Sequence, residues 1–90
     1  MSDLSWIDEI DPDEEVMRLE PRSVFDSAIV GLGRQFNTSF IVYSQRRTLA
    51  ALMASEGMTE QEAIEWYEFN MAGAWVGKGT PAFLEIEARP

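Results

Sequence analysis

Ninety residues carry 16 acidic side chains against 7 basic ones, a formal net charge of −9, with no cysteine and no histidine. A chain this short holds one small domain at most, and the two missing residue types exclude disulfides, ordinary zinc sites and most nucleophile–base pairs. The acidic balance also disfavours direct binding of nucleic acid, whose phosphates call for a basic surface. A hydrophobic content of 46% is ample for a core. The longest apolar runs are too short to cross a bilayer, and the acidic start is unlike a signal or transit peptide. These features predict a soluble, cytoplasmic protein.

Charge is concentrated at the N-terminus. Residues 1–20 hold Asp3, Asp8, Glu9, Asp11, Asp13, Glu14, Glu15 and Glu20 against Arg18 alone, whereas the other 70 residues hold eight acids and six bases. Pro12 and Pro21 interrupt any long helix, and repulsion among the acids opposes compaction. Residues 1–22 are therefore expected to form an acidic, flexible segment, with a compact α+β domain over 23–88. Scattered apolar residues (Leu4, Trp6, Ile7, Ile10) would lean on the domain or order on a partner.

Ser23-Val24-Phe25-Asp26 resembles a capping box, and Phe25, Ala28, Ile29, Leu32 and Phe36 follow at helical spacing. A helix over about 24–35 is expected, although Gly31 and Gly33 weaken it and leave 28–32 open to a strand. After a turn at 37–39, Phe40-Ile41-Val42-Tyr43 reads as a buried strand. Ser44 can cap a helix over about 45–56, which Gly57 ends. Arg46 and Arg47 oppose the dipole at its start and suggest an acidic contact, from a partner or the chain's own tail. Thr59-Glu60-Gln61-Glu62 is a full capping box, opening a helix over about 60–72 whose buried stripe is Ala63, Ile64, Tyr67 and Met71. Residues 74–76 should pack back on the core, residues 77–81 form a loop, and 83–87 alternate like a half-buried strand pairing with 40–43. The expected fold is three helices on a two-stranded antiparallel sheet.

Few residues suggest chemistry. Gly73-Ala74-Trp75-Val76-Gly77-Lys78-Gly79-Thr80 lacks the glycine–lysine spacing of a phosphate-binding loop and follows a helix rather than opening one. Lys78, the only lysine, lies between glycines with little to desolvate it, and reads as a solvated cation. Glu62, Glu65 and Glu68 share helical spacing, but helix-borne metal sites usually add histidine or carboxylates from a second helix. No catalytic residue, metal or other cofactor is expected. Trp66, Tyr67, Phe69 and Trp75 read as one aromatic cluster, mostly core, whose exposed remainder would anchor a protein contact.

The strings Glu56-Gly57-Met58, Glu62-Ala63-Ile64-Glu65-Trp66, Phe69-Asn70, Gly73-Ala74-Trp75-Val76-Gly77 and Gly79-Thr80-Pro81, with Phe25-Asp26 and Val42-Tyr43 upstream, resemble a family of small bacteriophage and prophage proteins. The resemblance spans about residues 25–84. Lys78 departs from the acidic residue common in that family. The resemblance implies a viral or mobile-element origin and supplies no catalytic residue. Phages encode many short acidic proteins that disable host machinery, including inhibitors of CRISPR nucleases and restriction enzymes, some of which mimic DNA. By that analogy a binding protein is expected, its partner a host protein with a basic surface such as a CRISPR or restriction complex. Candidate contacts are Asp8, Glu9, Asp11, Asp13, Glu14 and Glu15 near the N-terminus, and Glu62, Glu65, Glu68, Trp66 and Trp75 in the domain. The alternative is a phage accessory protein that self-assembles as a homodimer through its aromatic patch.

Overall fold

The computed structural model describes residues 4–10 and 15–88. It is a small α+β domain of three helices and a three-stranded mixed sheet. A 3-10 turn at Ser5–Glu9 precedes α1 (Arg22–Phe25), a second 3-10 turn (Asp26–Ala28), and the antiparallel strands β1 (Ile29–Gln35) and β2 (Thr38–Ser44). Then come α2 (Gln45–Glu56), α3 (Glu60–Tyr67) with a π-helical extension at Glu68–Ala72, and β3 (Ala82–Leu84).

The helix expected over 24–35 is a single turn followed by a strand. Ser23 does not cap it: the N-cap is Pro21, without a side-chain hydrogen bond. Asp26, assigned to that capping box, instead forms a 2.5 Å ion pair with Arg18. From Ile29 the chain pairs with β2, with a register shift between Ile29 and Gly31. Gly33 faces Phe40 across the pair, and the Phe40 ring lies where a Cβ at Gly33 would sit. The aromatic ring thus shields a glycine that would otherwise weaken the strand.

The two helices after β2 match their sequence signals. Ser44 accepts from the Arg47 N–H, and Gly57 closes α2 at φ 67°. In α3 the Thr59 hydroxyl accepts from the Glu62 N–H while the Glu62 carboxylate accepts from the Thr59 N–H, the full capping box. Ala63, Tyr67 and Met71 are buried, as expected, and Ile64 is half-buried.

The last strand corrects the expected sheet. β3 does pair with β2, but in parallel, through Val42↔Ala82, Tyr43↔Phe83 and Ser44↔Leu84, and the sheet has three strands in the order β1-β2-β3. Two helices lie in the crossover, and the loop after them lines a groove with Gln35, Phe36 and Thr38 at the hairpin tip. The chain therefore enters β3 from the same end as β2, which forces the parallel direction. Phe83 then stacks between two buried tyrosines, 5.9 Å from the Tyr43 ring and 5.1 Å, edge-on, from that of Tyr67.

Residues 74–76 do not pack back on the core: Ala74, Trp75 and Val76 are exposed. The Gly77–Thr80 turn holds them out, because the Thr80 hydroxyl accepts from the Val76 N–H and donates to the Gly77 carbonyl. Gly79, at φ 86°, packs against the Glu15 backbone, and its carbonyl accepts from the Met17 N–H at 3.2 Å. Leu4, Trp6, Ile7, Ile10, Val16 and Leu19 pack against the core cluster.

Candidate functional site

The sequence-predicted contact residues fall into separate regions. Asp8 and Glu9 are exposed on the 3-10 turn, Glu15 is exposed beside Gly79, and Asp11, Asp13 and Glu14 lie outside the described residues. Glu62, Glu65 and Glu68 are exposed on α3 and its extension. They are not equivalent. Glu62 is committed to the capping box and Glu65 accepts from Gln61 Nε2 at 3.2 Å, whereas Glu68 projects from the π-helical turn. No lysine or arginine occurs anywhere in residues 48–77, where Glu56, Glu60, Glu62, Glu65 and Glu68 are the charged groups. The acidic field over α3 is thus uncompensated by its own helix or by the C-terminal part of α2.

Trp66 and Trp75 do not form one patch. Trp66, 37% exposed, lines a groove of about 170 Å³ with Phe25, Leu52, Met58, Glu20 and Glu56. Trp75, 76% exposed, lines a different groove of about 400 Å³ with Phe36, Phe40 and Pro81. The two share no residue. Phe36 is 90% exposed at φ 55°, a left-handed conformation that a bulky residue rarely adopts. Phe69, expected in the aromatic cluster, is 91% exposed. The sequence reading passed over Phe36 and Phe40 as parts of regular elements. The Phe36-Asn37 pair, a two-residue turn between β-prone runs, was the signal for a hairpin tip that exposes the phenylalanine.

Of the two arginines near the start of α2, Arg46 finds an acidic contact within the chain, at Glu87 and not in the acidic N-terminal segment. Arg46 lies 3.5 Å from Glu87, whose carboxylate also accepts from the Ser44 hydroxyl at 3.0 Å. Beneath them, the Tyr67 hydroxyl donates to Glu85 at 2.7 Å, and burial, reinforced by that hydrogen bond and the Glu85 charge, holds its pKa above the ordinary tyrosine value. Burial likewise raises Tyr43, whose hydroxyl accepts from the Leu19 N–H. These contacts fasten chain segments together; they do not form a nucleophile–base pair. Among the described residues no group of three or more acidic side chains is placed to hold a metal ion, and no helix is long and apolar enough to cross a membrane.

No family model matches the chain, and no curated protein or solved structure matches it either.

Proposed function

We propose that this chain is a phage-encoded, non-catalytic binding protein that inhibits a component of host defence in the host cytoplasm. It would act in the manner of an anti-CRISPR protein, by covering a positively charged nucleic-acid-binding surface. The observation that carries this reading is the thirty-residue stretch 48–77, with five glutamates and no base, which includes the exposed face of α3. Uncompensated negative charge attracts a basic surface and competes with the phosphates that surface serves. The resemblance of residues 25–84 to small phage proteins supports the same reading, as does the acidic N-terminal segment.

The test is reconstitution with purified CRISPR and restriction complexes. The protein should lower target-DNA binding stoichiometrically, and its association rate should fall steeply as salt shortens the Debye length below about 8 Å. DNA binding unaffected at equimolar protein across such complexes sinks the proposal.

A second reading, a self-assembling accessory protein, is favoured by the exposure of Phe36, Phe69 and Trp75. Sedimentation equilibrium separates the two, since self-assembly predicts a concentration-dependent dimer that Trp75→Ala abolishes.

A further inference from the structure

We propose that the groove between α1, α2 and α3 receives a single arginine side chain from a basic protein partner. For its biological role this rests on the reading above, which it sharpens. The groove is lined by the apolar Phe25, Leu52 and Met58, by the aromatic Trp66, and by the acidic Glu20 and Glu56. At about 170 Å³ it is smaller than the roughly 300–1,000 Å³ of sites that take drug-sized ligands. It is sized for a side chain.

The chemistry of the walls selects the occupant. A guanidinium is planar, weakly hydrated and always charged, so it can stack on an indole while its edge bonds a carboxylate, and its methylene stem covers apolar floor. Glu20 already holds a guanidinium, that of Arg22, at 3.0 Å, in a pair exposed on both sides. Glu56 has no ion pair or hydrogen-bond partner among the described residues. An apolar occupant would offer the Glu56 side chain no partner, which disfavours a leucine or a hydrophobic segment. A second copy of this chain is disfavoured as the donor, because two chains that each carry a net charge of −9 repel one another.

The experiment is a titration of the ¹⁵N-labelled full chain with the capped peptide Gly-Gly-Arg-Gly-Gly at physiological salt. Separate titrations use peptides carrying citrulline or leucine in place of arginine. The three tryptophan indole N–H signals report separately on Trp6, Trp66 and Trp75. The expected result is a saturable shift of the Trp66 signal with the arginine peptide alone, at a Kd on the order of 1 mM for so small a probe. Glu56→Gln should weaken it by about fivefold or more, as loss of a charge-assisted contact would. Glu60→Gln removes the same charge outside the groove and should leave it unchanged. Equal shifts with citrulline or leucine, equal weakening by Glu60→Gln, or no Trp66 shift overturn the proposal. A Trp66 shift that grows with protein concentration alone also overturns it, in favour of a second copy. The peptide contains no defence component, so failure of the groove and failure of the inhibitor reading are observed separately.

Discussion

The backbone N–H of Leu19 donates a 2.7 Å hydrogen bond to the hydroxyl of the fully buried Tyr43, tying the chain before α1 to the middle strand of the sheet. Removing that oxygen strands a part-buried donor. Tyr43→Phe should therefore cost about 1–2 kcal/mol, lowering Tm by about 4–8 °C per kcal/mol in a domain of this size. A thermal melt checks it. An unchanged Tm would mean that Leu19 finds water instead.

Gly79 and Gly31 should respond oppositely to alanine. At Gly79 the backbone has φ 86° and a Cβ would overlap the Glu15 carbonyl, so Gly79→Ala should cost more than about 1 kcal/mol. It should also loosen residues 15–19, seen as faster tryptic cleavage after Arg18. A Cβ at Gly31 meets nothing within 4 Å, so Gly31→Ala should be neutral or stabilising by up to about 1 kcal/mol.

Stability should fall in alkali. Both tyrosines, the only two in the chain, have pKa values raised above 10.0 by burial. The folded state therefore holds its phenolic protons more tightly than the unfolded one. The resulting stabilisation is fully present below pH 10.0, the unfolded value, and is lost as pH rises toward the folded values. Tyrosinate absorbance should rise only with unfolding, and Tyr67→Phe should flatten the decline of Tm above that pH. Tyrosinate appearing before unfolding would contradict this.

Charge reversal should separate structure from binding on a single helix. Glu62→Lys removes half of the capping box and should cost about 1 kcal/mol, because the Thr59 N–H loses its acceptor. The double variant Glu65→Lys, Glu68→Lys leaves the cap intact and should keep the fold by circular dichroism while slowing association with the target. Normal association with that variant would remove the α3 face from the proposed contact.

Where a short-range rule decides the outcome, the sequence was a sufficient guide. Both ends of α2 and the start of α3 follow from Ser44, Gly57 and the Thr59–Glu62 pair, whose hydrogen bonds span a few residues. Where distant residues decide, it was not. The spacing of Phe25 to Phe36 suits a helix, but Gly31, Gly33 and the β-branched β2 make pairing the better solution once the strands meet. The direction of β3 depends on where the loop returns to the sheet, which no local pattern encodes. On the candidate surface, the carboxylates of α3 were legible from periodicity. The division of Trp66 and Trp75 between two grooves depends on where the loop meets Phe36 and Phe40 of the hairpin, a tertiary outcome.

Parallel pairing of β3 with β2 has a consequence for synthesis in the cell. Strand β2 is made before its neighbour at residues 82–84, and the Met17–Gly79 and Ser44–Glu87 contacts wait on that same later segment. Such distant pairings must bear loop-closure entropy before they return any stabilisation. The nascent chain therefore cannot complete its sheet before residues 82–84 have emerged, and the contacts of Tyr67 with Phe83 and Glu85 wait with it. A chain truncated before residue 82 would lack β3 and the Glu85 and Glu87 contacts behind it, and would be open to degradation.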